Sequence, residues 1–428
     1  MILKNFIVQM NVNMQKQKMN CNSVRFIASI VFVIFLFTIN LAQSQTTDTI
    51  NLPFSKNKTD GFFEIGSAIK INEESIACSH PRIAASSDDI VFFVWDGLLN
   101  NKRKIFFREF SNDRFKEPIV LETDLNSESS EPDITVDSKG NPHIVWVSEK
   151  DNLYSINYAF RLDDNWIYFP TVYQSNGLNL EVPVIGVANS SPEVFLAWQE
   201  GKGIDYHILA AVKNEQGKFL IYNLSEDSSD HYNLYPQIFT TPTPSVIWYE
   251  SIESEFVLMG VRFDYETKLW ESLELDGLTK IASNRLPIIT ISSSSRIAGL
   301  WYDSLDKLDK ILLGLQYFND GMGVQIDQNS IGNESQPFGI FRGNDFIFIT
   351  FLESNLEENQ VFFTIARVEK SGAKFLDSPI QVTENGPGYY SSPRIAIGES
   401  KIFIVWSSNV RDGGDGGIYF TLITISNV

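Results

Sequence analysis

From about residue 61 onward the chain alternates short apolar runs with polar turns, and no stretch carries a helical period. Near-continuous apolar runs at 90–95, 346–351 and 402–406 read as strands buried on both faces. Each is preceded by a short apolar run and a turn rich in Gly, Ser, Asn or Asp, as in Asp137-Ser138-Lys139-Gly140-Asn141. Each is followed by a third strand, as at 104–110 and 255–263, and by a more polar fourth, as at 114–122 and 374–382. The pattern predicts units of four strands with polarity rising outward.

These units keep a fixed length. Prolines stand at Pro81, Pro132, Pro183, Pro236, Pro287, Pro337 and Pro393, separated by 51, 51, 53, 51, 50 and 56 residues. Two positions later come Ile83, Ile134, Ile185, Ile238, Ile289, Gly339 and Ile395. A large aromatic follows at Trp95, Trp146, Trp198, Trp248, Trp301, Phe351 and Trp406. Three residue types in step over seven copies define a repeat. Four strands per unit of about fifty residues is the grammar of a β-propeller blade. The expected fold is all-β: a seven-bladed β-propeller of four-stranded antiparallel blades. Proline is expected to open each inner strand, where no ladder donor is required. The aromatic is expected to fill the wedge between neighbouring blades.

The last copy ends after three strands, whereas the segment 61–71 lies where an outer strand would precede the first proline. Its pattern matches that of 114–121. An N-terminal strand is therefore expected to complete the last blade, which leaves no free sheet edge.

Residues 1–44 carry four basic residues and no acid, then an apolar run at 26–42 and the small residues of Ala42-Gln43-Ser44. That is the layout of a secretory signal peptide. The run is short for a membrane span. The expected organisation is a signal peptide at 1–44, a lead-in linker at 45–60 and the propeller at 61–428. The mature protein would be secreted, cell-surface or periplasmic, without a membrane span, and monomeric.

Charge narrows the partners. The whole chain has 34 basic and 53 acidic residues, a net charge of −19, which becomes −23 without the leader. That balance excludes a phosphate-tracking nucleic-acid binder. Cys78 is the one cysteine left after the leader, so no intrachain disulfide is available. Acids recur just past the aromatic: Asp96, Glu149, Glu200, Glu250, Asp303 and Glu353. They are candidates for a partial ring at the channel mouth that binds a sugar, a metal ion or a basic partner. The alternative is that they satisfy turn amides or are simply solvated. Tyr249 and Tyr302 are candidates for stacking on a sugar, or for packing on the next blade. The stretch 411–417, rich in Asp and Gly, is either a Ca2+ loop or a plain turn. The histidines show no metal-ligand spacing, and no other cofactor is implied.

The unit from Pro132 to Trp146, with Val136-Asp137, Gly140-Asn141 and His143, resembles the repeats of sialidase-like propellers. The resemblance spans about 61–428 and lies in the two inner strands. It departs from the family in two ways: sialidases have six blades, and their Asp-box, Ser-x-Asp-x-Gly-x-Thr-Trp, is absent. That family uses three arginines to clamp a carboxylate, a Tyr–Glu nucleophile pair and an acid/base Asp. The arginines nearest the strand starts are Arg82, Arg285 and Arg394, and no catalytic role transfers. The resulting expectation is an exported binding module for a glycan or an extracytoplasmic protein at the channel mouth. The alternative is a sialidase-like glycoside hydrolase or lyase.

Overall fold

The computed structural model describes residues 63–425 apart from short internal stretches, the longest being 276–287. Contacts divide the chain into Met1–Asp48 and Thr49–Val428, and every described residue belongs to the second unit. The leader and linker expected at 1–60 lie outside the described residues. No helix among the described residues is long and apolar enough to cross a membrane.

The fold is an all-β propeller of four-stranded antiparallel blades. Inner strands are Ser79–Ala85, Glu128–Val136, Asn179–Val187, Asn233–Phe239, Ile288–Ile291, Asn333–Arg342 and Tyr389–Ile397. Each pairs with a buried second strand, such as Val91–Leu99 or Pro142–Lys150, and the sheet continues outward from there. The N-terminal strands Phe63–Ile65 and Ile69–Lys70 pair with the C-terminal strand Gly417–Ile425, with Phe63 opposite Ile425. This closing edge is broken in two, as is the outer edge at Arg114–Phe115 and Ile119–Val120 and that at Gly372–Phe375 and Ile380–Gln381. In the last two, Pro118 and Pro379 stand in the gap, where they cannot donate to the ladder.

The repeated aromatic fills the wedge. Trp95 packs with Phe403, Val405 and Phe420 of the last sheet, and Trp146 packs with Phe92, Val94 and Ile105 of the first. Trp198, Trp248, Phe351 and Trp406 each share a cluster with the blade before them. Such a ring is worth roughly 1.5–3 kcal/mol by area. These side chains are therefore a large part of what holds blade to blade. The side chain of Trp301 is outside the described residues.

In six inner strands proline is not the opening residue; Pro287 lies outside the described residues. In those six it sits inside the strand, within a β-bulge that shifts the register between Ser79 and Arg82, between Ser130 and Asp133, and at the matching points of four other blades. The residue before it takes a left-handed backbone: His80, Glu131, Val182, Tyr235, Gln336 and Ser392 have φ of 47–54°. A bulge leaves one amide without a ladder partner, and proline has none to leave. Pairing with the second strand therefore continues past it.

Candidate functional site

The bulges bring polar groups to one end of the central channel. At four of them the amide of the left-handed residue is held by a side chain from the preceding blade. Glu131 N donates to Asp96 Oδ2 at 3.1 Å, and Val182 N to Glu131 Oε2 at 2.6 Å. Tyr235 N donates to Gln199 Oε1 at 3.0 Å, and Ser392 N to Gln336 Oε1 at 2.8 Å. Backbone strain of about 1–3 kcal/mol per residue is thus offset by bonds that also join neighbouring blades.

Asp96 is the most heavily bonded of these acceptors. It is fully buried and also accepts Ser79 Oγ at 2.7 Å, His80 Nδ1 at 2.6 Å and Arg103 Nη1. Burial pushes its carboxyl up, but the bonds and charges of His80, Ser79 and Arg103 outweigh that and hold it below its ordinary value. An ionised Asp96 only accepts, so Nδ1 of His80 carries a proton and Nε2 is left for other partners. The His80 side chain is 45% exposed and lines the channel.

The channel holds about 910 Å3. One step below His80 lie Arg82, Asp133, Gln237 and Arg394. Arg82 Nε is 3.7 Å from Asp133 Oδ1, and Asp133 Oδ2 accepts the amide of Ile185 at 3.0 Å. Each arginine donates Nη1 to the carbonyl of its own proline, Arg82 at 3.1 Å and Arg394 at 2.8 Å. The Arg394 guanidinium also lies 4.8 Å over the Phe338 ring. Burial pushes Arg394 down to about 9, the like charge of Arg82 adds to that, and Asp133 opposes it. Burial pushes Asp133 up, against Arg82, the amides of Ile185 and Ile134, and Arg394. At this level two guanidiniums face one carboxylate, and a second anion between them would relieve their repulsion.

The described acids of the expected ring differ in their partners and burial. Asp96 stands behind His80. Glu149 lines an adjoining cleft of about 390 Å3 with Tyr154, Glu128 and Glu181, which shares Glu131 with the channel. Glu200 accepts the Tyr173 hydroxyl at 2.9 and 3.0 Å, and burial followed by that bond pushes Tyr173 up to about 12. Glu250 is buried, and Glu353 is half-buried with its carboxyl pushed up by burial. Tyr249 is buried beside the channel, and burial pushes its hydroxyl up. The side chains of Tyr302 and Asp303 are outside the described residues, as are Arg285 and residues 411–415 of the Ca2+ candidate. Among the described residues no group of three or more His, Cys, Asp or Glu is placed to hold a metal ion.

His80, Asp133 and Gln237 were not singled out by the repeat, although each lies next to its proline. Arg82 and Arg394 were noted only for that position. Ring closure makes them neighbours across 312 residues of chain.

No protein-family model and no curated protein matches the chain. Solved structures do. Polysaccharide lyase Uly1 is similar over 87% of this chain and 95% of its own, with a TM-score of 0.54 and 11% identity. An ulvan lyase with a bound GlcA-containing saccharide covers 82% and 94%, with a TM-score of 0.50 and 11% identity. The NanB sialidase of Streptococcus pneumoniae covers 83% and 70%, with a TM-score of 0.46 and 10% identity. At such identity the likeness is one of fold, the β-propeller.

Proposed function

We propose that this chain is an exported, glycan-handling propeller whose channel mouth takes an acidic saccharide, in a ring closed as seven blades. The observation that carries the reading is the Arg82–Arg394 pair, which faces the single carboxylate of Asp133. A sugar carboxylate or sulfate supplies the missing negative charge, and bidentate guanidinium contacts suit both groups. The lyase and sialidase neighbours support a sugar ligand. The leader-like residues 1–44 support export.

Calorimetric titration of the chain from residue 45 with oligogalacturonate tests this. Arg82→Gln with Arg394→Gln is expected to weaken binding at least about a hundredfold, since each charge-assisted contact contributes about 1.5–3 kcal/mol. A double variant that binds like the wild type, or a wild type with no acidic-oligosaccharide binding, overturns the reading.

The His80–Asp96 pair favours a second reading, elimination. His80 Nε2 would take the proton from the carbon that bears the sugar carboxylate. That C–H electron pair becomes a double bond as the glycosidic oxygen leaves with a proton from water. The arginines would hold the developing negative charge. A rise in ultraviolet absorbance from an unsaturated sugar, lost in His80→Asn while binding persists, supports it. No absorbance change across a panel of polyuronates leaves binding alone.

A further inference from the structure

The inner strands all run from the mouth down the bore, so position after the proline measures depth. The first two levels hold every His, Arg, Asp and Glu side chain among the described residues that line the channel: His80 and Glu131, then Arg82, Asp133 and Arg394. Below them the lining changes character. Val136, Phe239, Ile291, Ile340, Phe341 and Ile397 line the channel there beside Thr135, Thr240, Thr241 and Thr290; each of the six also packs against a cluster between blades, and all but Ile291 are only half-buried. Three residues of strand separate the arginine level from the deepest of these apolar residues, about 10 Å of mostly apolar wall.

Apart from the threonine hydroxyls, such a bore holds water against surface that cannot bond it, and displacing that water with hydrocarbon is favourable. Above it, two guanidiniums repel one another across one carboxylate. We propose that the channel takes an amphiphilic anion, with its carboxylate or sulfate between Arg82 and Arg394 and a short alkyl or acyl chain in the bore. The proposal rests on the reading of the arginine pair as the anion site, and it adds what lies beneath. A fatty acid and an acidic sugar bearing an acyl or alkyl group share this chemistry. The match is one of charge at the mouth and apolarity below. A neutral lipid leaves the repulsion between the arginines unrelieved, and a bare polyuronate leaves the wall wet.

The test is calorimetric titration of the chain from residue 45, below micellar concentrations, with hexanoate, octanoate, octyl glucuronide, octyl glucoside and oligogalacturonate. Octanoate is expected to bind at least about tenfold more tightly than hexanoate, since each buried methylene contributes about fourfold. Octyl glucuronide is expected to bind at least about tenfold more tightly than octyl glucoside. Arg394→Gln should weaken every anion, and Ile340→Ser should flatten the dependence on chain length alone. Affinity independent of chain length, or equal for glucuronide and glucoside, overturns the inference. Oligogalacturonate binding alongside a flat alkyl series leaves the glycan reading standing and removes this one. Octanoate binding without oligogalacturonate binding does the reverse. Octyl glucuronide exceeding octanoate identifies the acidic-sugar source; the opposite order identifies the fatty acid. Either order supports the proposal.

Discussion

Two histidine–aspartate pairs stand in neighbouring blades with their burial inverted. In the first, Asp96 is fully buried and His80 is 45% exposed at the channel mouth, joined at 2.6 Å. In the second, the His143 side chain is 7% exposed and Asp137 is 20% exposed, with Nε2 and Oδ2 3.5 Å apart. The buried carboxylate anchors a ring that faces the channel. The buried imidazole is itself the anchored group: its Nδ1 meets the Tyr158 hydroxyl at 2.7 Å, and it stacks on Phe160. The same two residue types thus form a ligand-facing group in one blade and packing in the next. Which member is desolvated decides the role.

The largest way to break this contrast is to remove Asp96. Asp96→Ala strips the acceptor from Ser79, His80, Arg103 and the Glu131 amide together, leaving the Arg103 guanidinium without its carboxylate beside a buried gap. Destabilisation of about 3–5 kcal/mol is expected, from the cost of breaking a buried ion pair. Urea unfolding of wild type and variant at neutral pH measures it. A loss under about 1 kcal/mol would mean that the network does not anchor the mouth.

His143 sharpens the contrast through pH. Burial pushes its imidazole down from 6.5 to about 4. The charges facing it are Asp137 from the turn after its inner strand and Lys213 from the next blade, whose ammonium lies 5.5 Å over the Tyr158 ring and 4.8 Å over that of Phe160. Between pH 6.5 and 4 the unfolded chain binds a proton there that the folded chain does not. Stability from this group is therefore complete above pH 6.5 and falls as the pH drops toward 4, by about 3 kcal/mol. His143→Phe should remove that part of the acid slope, as read from denaturant midpoints across the range. An unchanged slope would place the acid sensitivity elsewhere.

The repeat was legible because packing wrote it: proline, isoleucine and the aromatic recur wherever a bulge, an inner wall and a wedge recur. The closing edge was legible too, since Phe63 and Ile65 resemble an outer strand and the last copy lacks one. The site was far less so. A left-handed residue before proline has no signature in the letters His80, Glu131 or Tyr235, and its amide is held by a side chain one blade away. The acids after the aromatics looked alike because spacing carries no information about partners. In space, Asp96 belongs to His80 and Glu200 belongs to Tyr173.

The smallest stability effect is expected where the functional effect is greatest. His80 is exposed, and its backbone is left-handed at φ 50°. Asparagine tolerates that conformation better than most residues, and its amide N–H can replace the donor to Asp96. His80→Asn should therefore unfold within about 0.5 kcal/mol of the wild type, as surface substitutions do. It nevertheless loses the free ring nitrogen that faces the channel. If the elimination reading holds, turnover on a polyuronate should disappear while oligogalacturonate affinity stays within about threefold, because the charge contacts remain with Arg82 and Arg394. A variant that keeps full turnover would make this pair structural like its neighbour, and the inversion of burial would then carry no functional meaning.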